Sequence, residues 1–411
     1  ARLDPFATRA LQAAEIVIGS PRQLAVVAPL LTAAQQQLQL PKLAELQAVL
    51  DRYAVQGRAS IAILASGDPL FYGIGRWFGQ HIDPQRLYFY PAVSSVQAAC
   101  HCLGLSLQDV RVVSLHGRPV EKIRTYLKSR QQLVILTDRQ STPQILAREC
   151  IAAGFDDSIL WVCETLGYPQ QRVTRHLATS LAASELSFDP LQVTVIQTRG
   201  PGGLLPEFPG IEDARFVTDG PAGKGMLTKR EVRLTILSLL QGRRHDVIWD
   251  IGAGCGGVAV ELSYWNESAR IYAVEHHPER LRCLEANRMR FGVSSNLISV
   301  AGRAPQALAG LPLPDRVFIG GSDGELPVLL EQVWRQLGCG GVLVASAVTE
   351  TTKQQLLRFF EQRQQLADGR SETLQLAVSK GDLLAGQLLY RPGLPVTLFK
   401  FVKLAGAPSN D

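Results

Sequence analysis

Short apolar runs alternate along this chain with longer stretches whose apolar positions recur every three or four residues, the pattern of strands interleaved with helices. In the first half, Glu15–Gly19, Ser60–Ala65, Leu87–Tyr90, Val110–Leu115, Gln132–Thr137, Ile159–Cys163 and Val193–Thr198 read as strands. Helices are expected near Ala7–Ala14, Gln35–Leu50, Val93–Leu103, Pro119–Lys128 and Thr142–Gly154. In the second half the march is more regular. Helix Glu231–Leu240, strand Val247–Ile251, helix Val258–Tyr264, strand Arg270–Glu275, helix Pro278–Phe291 and strands Asn296–Ala301 and Arg316–Gly320 come in turn. Helix Leu326–Gln336, strand Gly341–Val348, helix Thr352–Gln364 and strands Glu372–Ser379 and Val396–Leu404 complete it. Both halves are therefore α/β, and the second suits a seven-stranded sheet better than a six-stranded dinucleotide fold.

At 411 residues the chain exceeds one ordinary domain. The Gly- and Pro-dense stretch Arg199–Gly210 lacks apolar periodicity and separates two folding units, residues 1–198 and 227–404, across a linker at 199–226. The net charge of +5 arises from 42 basic and 37 acidic residues without a like-charged run, which speaks against a nucleic-acid partner and permits a small anionic one. Apolar runs are strand-sized and no basic-then-apolar leader opens the chain, so a soluble, cytoplasmic protein without a membrane span is expected. The 7 cysteines show no metal or disulfide spacing and read as reduced thiols. His276-His277 reads as a surface turn rather than a metal site.

The chemistry concentrates at Val247-Ile-Trp-Asp-Ile-Gly-Ala-Gly-Cys-Gly-Gly257. A buried strand runs into glycines that let the backbone turn sharply and approach a ligand, and the next strand ends in Glu275, placed to accept hydrogen bonds from both hydroxyls of a ribose. The Asp250-x-Gly-x-Gly form favours S-adenosylmethionine over a dinucleotide. Thr228 and Glu231 have the spacing of a capping box at the start of a helix. In the first half, Ser66–Gly75 is a strand-end loop in which Asp68 caps a helix or hydrogen-bonds a ligand.

Leu64-Ala-Ser-Gly-Asp-Pro-Leu-Phe-Tyr-Gly73, Pro91–Cys100, Leu136–Pro143 and Glu164-Thr-Leu-Gly-Tyr-Pro169, in that order, resemble the tetrapyrrole methylase superfamily. That resemblance implies two α/β lobes with S-adenosylmethionine in the cleft between them, and makes Gly67, Asp68, Pro69, Ser94, Ser95, Thr142 and Pro143 cofactor candidates. The family's first strand and Gly-x-Gly-type turn would precede the segment matched by Leu3-Asp4-Pro5, so the expectation is a lobe without that strand, either because the chain is truncated or because the lobe has lost part of its cofactor site and its activity. The second half resembles the decarboxylating methyltransferases of cobalamin biosynthesis through Leu227–Arg233, Trp249–Gly256, Ala273–Glu279, Gly302–Leu308, Pro314–Ser322 and Ala345–Glu350. By position it implies that Thr228, Gly252, Ala253, Gly254, Cys255, Gly256, Glu275, Gly302, Arg303 and Ala304 hold S-adenosylmethionine, with Cys255 standing where Thr or Ser is usual.

Taken together, the two resemblances imply methylation of a corrin-precursor tetrapyrrole at C5 and C15 with loss of carbon dioxide from its C12 acetate, by a homo-oligomeric enzyme. Lys229, Arg230, Arg233 and Arg303 are candidate anchors for substrate carboxylates, and Gly320, Gly321 and Ser322 lie where a flat ring would approach the methyl donor. No acid, base or nucleophile is singled out as catalytic. Two other readings are an RNA methyltransferase, which the modest charge and the first half disfavour, and a tetrapyrrole-binding scaffold in which only the second half is catalytic.

Overall fold

The computed structural model describes residues 3–55, 60–221 and 224–405. The chain divides into two compact units, each with its own core. The first takes residues 1–117, 130–148 and 156–199; the second takes 118–129, 149–155 and 200–411.

The first unit opens with α1 (Pro5–Ala13), capped by Asp4, whose carboxylate accepts the N–H groups of Phe6 and Ala7. β1 (Ile16–Gly19), α2 (Pro21–Val27), β2 (Gln36–Gln39), α3 (Leu43–Val55), β3 (Ile61–Ile63) and α4 (Gly75–His81) follow. β1 is buried along its whole length and pairs in parallel with β2 and β3. Two expectations fail here. Gln35–Leu50 is not one helix: Gln36–Gln39 forms β2, an exposed edge strand whose glutamines carry no amphipathic signal, and the helix starts only at Leu43. Leu87–Tyr90 is not a strand, for it pairs with no neighbour among the described residues.

α5 (Ser95–Leu103), β4 (Arg111–Ser114), β5 (Gln132–Leu136), α6 (Pro143–Ala152), β6 (Ile159–Glu164), β7 (Arg172–Leu177), α7 (Ala178–Ala182) and β8 (Gln192–Gln197) complete the first half. The five strands pair in the order β4-β5-β8-β6-β7, over a core that includes Val96, Cys100, Val134, Cys163 and Val195. β7 is largely exposed, so its sequence has no buried apolar face to betray it. Val120–Thr125 is a 3₁₀ segment rather than the expected α-helix and belongs to the second unit, where the Arg124 guanidinium pairs with Glu149 at 2.6 Å and donates to the Met289 carbonyl at 2.9 Å.

The second unit is built on α8 (Arg230–Leu240), β9 (Val247–Ile251), α9 (Gly257–Trp265), β10 (Arg270–Glu275), α10 (Pro278–Arg290), β11 (Leu297–Ala301), β12 (Arg316–Ile319), α11 (Leu326–Gln336), β13 (Val342–Ala347), α12 (Glu350–Leu366), β14 (Gly369–Leu376) and β17 (Val396–Lys403). Between the last two strands stands a separate antiparallel hairpin, β15 (Ser379–Leu384) with β16 (Gln387–Pro392). The main sheet has seven strands in the order β11-β10-β9-β12-β13-β17-β14. The first five are parallel, while β17 runs antiparallel between β13 and β14. Apolar residues cover both faces, including Ile248, Val258, Leu284 and Phe318 on one side and Trp249, Val317, Leu330 and Phe399 on the other. Burial on both faces explains why these strands read as continuous apolar runs.

The strand order reverses between β9 and β12, and in open α/β sheets the crevice outside the carboxyl ends of strands at such a reversal is where ligands bind. Among the described residues no helix is long and apolar enough to cross a membrane.

Candidate functional site

The carboxyl end of β9 turns through Gly252, Gly254 and Gly256 at φ +70, +57 and +88, a backbone that side chains resist, and α9 begins at once. Space is short as well. A Cβ on Gly252 would lie 2.6 Å from the Gly321 nitrogen, and one on Gly254 only 2.4 Å from the Met226 carbonyl. The turn is thus packed between the loop after β12 and the segment before α8, and Cys255 N–H donates to Met226 O at 2.9 Å. Asp219 fastens that segment. Its carboxylate accepts the Met226 N–H at 2.8 Å and the Arg280 guanidinium at 3.1 Å, and these bonds hold it below the usual carboxylate range.

Glu275 ends β10 and is buried, yet both oxygens are engaged: one accepts Gly254 N–H at 2.9 Å, the other the N–H groups of His276 and His277 at 2.8 Å each. Three backbone donors hold this carboxyl group aimed at the glycine turn, with acceptor capacity left for hydroxyls. Asp250 behaves differently. One oxygen accepts Ala259 N–H at 2.9 Å and the other is buried without a partner. Burial, with the Glu275 carboxylate adding to it, pushes Asp250 up to about 7 against that single hydrogen bond. The Cys255 thiol is pushed up to about 12 by burial and is therefore a neutral packing group.

Gly302, Arg303 and Ala304 leave the end of β11, with Gly302 N–H donating to the Glu275 carbonyl at 3.0 Å. Gly320 and Gly321 follow β12 against Gly252, their other sides exposed, and Ser322 is half-buried beside them. The structure thus gathers the glycine turn, Glu275, Gly302–Ala304 and Gly320–Ser322 at one end of the sheet.

Two sequence expectations at α8 need correction. Thr228 does not form a capping box, because the helix is entered from Lys229 without any side-chain cap. Arg233 is no substrate anchor: it is fully buried, pairing with Glu261 at 2.9 Å and Asp213 at 3.0 Å beneath the ring of Phe216. It also donates to the carbonyls of Thr228, at 2.6 Å, and Ile211, so its task is to position the segment that carries Thr228. Arg230 stays at the surface beside Glu231, and Lys229 is half-buried. Sequence reasoning missed Asp219 and the true role of Arg233, since their partners lie far along the chain and no local spacing marks them.

In the first unit the Ser66–Gly75 loop coils on itself, with Gly75 N–H on the Pro69 carbonyl at 2.8 Å and the Asp68 carboxylate accepting Leu70 N–H at 2.8 Å. Gly67, at φ +70, packs so closely that a Cβ would meet the Ser94 backbone at 2.8 Å. Ser94 caps α5 in a reciprocal pair with Gln97, and exposed Ser95 opens the helix. Thr142 and Pro143 begin α6 after a turn fixed by Asp138. Burial opposes ionisation there, but N–H groups of Gly117, Gln140 and Ser141 and the Ser141 hydroxyl hold Asp138 down at about 2. Gly67 and Ser94 are therefore in contact.

A family model described as tetrapyrrole (corrin/porphyrin) methylases matches residues 5–182, and one described as precorrin methyltransferase domain matches 219–403. A Sinorhizobium protein named precorrin-6Y C(5,15)-methyltransferase [decarboxylating] is 34% identical over 98% of this chain and 94% of its own length. The protein of that name from Mycobacterium tuberculosis is 31% identical over 96% of this chain and 94% of its own length. A crystal structure titled precorrin-6Y C5,15-methyltransferase from Geobacter metallireducens is 34% identical, covers 49% of this chain and 99% of that one, and has a TM-score of 0.43. The chain belongs to the decarboxylating precorrin-6Y C5,15-methyltransferase family of methyltransferases.

Proposed function

We propose that this enzyme methylates a corrin precursor, precorrin-6B or its cobalt form, at C5 and C15 and removes carbon dioxide from the C12 acetate. The first half would act at C5, residues 227–404 would decarboxylate and act at C15, and 199–226 would join them. The observation that carries the reading is the crowded glycine turn with the buried, triply hydrogen-bonded Glu275 at the reversal of the seven-stranded sheet. Its backbone donors and the acceptor oxygens of Glu275 fit a ribose-bearing ligand such as S-adenosylmethionine, and neighbouring Cβ atoms would close the cradle.

When bound, S-adenosylmethionine supplies an electrophilic methyl on a sulfonium. The residues of this chain have to place rather than activate. Gly252–Gly256 would meet the ligand through backbone, Glu275 would take the ribose hydroxyls, and Thr228 and Gly302–Ala304 would border the rest. Gly67, Asp68, Pro69, Ser94, Ser95, Thr142 and Pro143 would play the corresponding part in the first half. Such positioning is worth about 7–11 kcal/mol of barrier, which leaves no need for a protein nucleophile. The neutral Cys255 accords with this. Loss of carbon dioxide leaves an electron pair that the conjugated macrocycle can accept, so the protein has only to hold the other carboxylates. Lys229, Arg230 and Arg303 are left as anchors, and the exposed sides of Gly320 and Gly321 would admit a flat ring. A homo-oligomer working in the cytoplasm completes the proposal.

Mass spectrometry of the macrocycle after incubation with S-adenosylmethionine tests it. Two methyls gained with carbon dioxide lost is the expected product. One methyl gained with carbon dioxide lost would confine activity to the second half, and an unchanged macrocycle would refute the assignment.

A further inference from the structure

The loop after β12 does more than line the crevice. In the sheet β12 neighbours β9, β10 lies beyond β9, and β11 beyond β10. A side chain that leaves the β12 loop and reaches the loops after β10 and β11 must cross the end of β9, in front of the glycine turn. Asp323 does so: its Oδ2 lies 3.2 Å from His276 Nδ1 and 3.7 Å from Arg303 Nε. His276 Nδ1 is also 3.5 Å from the Glu275 carboxylate. One carboxylate thus ties together loops that follow three strands. At about 4.8 Å per strand spacing, the tie spans roughly 14 Å of the sheet's end.

Two properties suit this tie to opening and closing. His276, Arg303 and Asp323 are 35%, 58% and 45% exposed, and pairs formed in water contribute little and part readily. Asp323 sits at φ +48 with Gly324 next at φ +90, and Gly320-Gly321 precede the loop, so the backbone has a flexible joint on either side.

We propose that Asp323 is a latch, a positioning residue that closes the β12 loop over the cofactor crevice by holding His276 and Arg303. The inference rests on the reading that this crevice binds S-adenosylmethionine. A latch that re-forms over bound ligand slows entry and exit together, leaving affinity nearly unchanged.

The test is surface plasmon resonance of S-adenosylhomocysteine on the immobilised full chain, comparing wild type with Asp323→Asn and His276→Gln. Asparagine tolerates the left-handed backbone, so the first variant removes only the charge. The kinetic phase lost in Glu275→Ala reports this site. In Asp323→Asn, association and dissociation rates should both rise roughly fivefold, with Kd within about twofold of wild type. Raising salt from about 0.05 to 0.5 M should speed the wild type toward the variant and leave the variant unchanged. His276→Gln should give a smaller rise in both rates. Wild-type rates in Asp323→Asn, or a faster dissociation alone, would overturn the latch. No Glu275-dependent phase in wild type would refute the cofactor reading itself, a separate failure.

Discussion

Gly254 and Glu275 show what single residues contribute. Ala at position 254 would bring a methyl to 2.4 Å from the Met226 carbonyl at a φ of +57, and both demands fall on backbone that cannot yield cheaply. Gly254→Ala should therefore weaken S-adenosylhomocysteine binding at the second-half site by about tenfold or more in calorimetry. Glu275→Gln should weaken it comparably, because an amide NH₂ would face N–H donors where a carboxylate now accepts them, at about 1–3 kcal/mol. Asp250 bears on stability instead. Its pKa is raised from 3.8 to about 7 on folding, so between those values the native state holds a proton that the unfolded chain has lost. Its contribution to stability is greatest at low pH, falls as pH rises from about 4 to 7 and is level above that. Urea denaturation of Asp250→Asn across this range should show that fall removed. The glycines and both acids were legible in the sequence, since positive φ and strand-end carboxylates leave a local signature. Asp219, Asp323 and Arg233 were not, because their partners in space are remote in sequence.

At the level of elements, the α8–α9 contact rests on an ion pair out of water. Arg233 and Glu261 are both fully buried, and Glu261 also accepts the N–H groups of Gly210 and Ile211 and the Trp265 indole. Arg233→Ala would strand that carboxylate, costing about 3–5 kcal/mol in urea denaturation, while Arg233→Met with Glu261→Gln should recover part of the loss. The strands of the second unit were readable because both faces of the sheet are covered. Edge elements were harder. β2 and β7 are held by ladders and carry mainly polar residues, and the hairpin of β15 and β16 exposes Leu383, Leu384, Leu388 and Tyr390, so no buried face set a period there. The Val120–Thr125 segment has helical spacing, but its turn is drawn tight where Arg124 and Lys128 engage Glu149, Met289 and Tyr264.

For the whole molecule, the proposed pair of cofactor sites makes a stoichiometric prediction. Calorimetry should find two S-adenosylhomocysteine molecules per chain, and Gly254→Ala should leave one. A wild-type value of one would mean that the Gly67–Pro69 and Ser94–Ser95 region no longer binds cofactor. The α/β character of both halves was legible from apolar rhythm. The assignment of Arg118–Ser129 and Glu149–Phe155 to the second unit was not, for nothing in their composition separates them from their neighbours. The placement of β17 between β13 and β14 governs how the protein emerges from the ribosome. β14 is synthesised before the strand that must pair with it, so a nascent chain ending before Val396 carries β14 without a partner and β13 with a bare edge. Closure of the sheet is thus deferred until β17 clears the exit tunnel, and a released chain cut short before Val396 would leave both edges open to other copies.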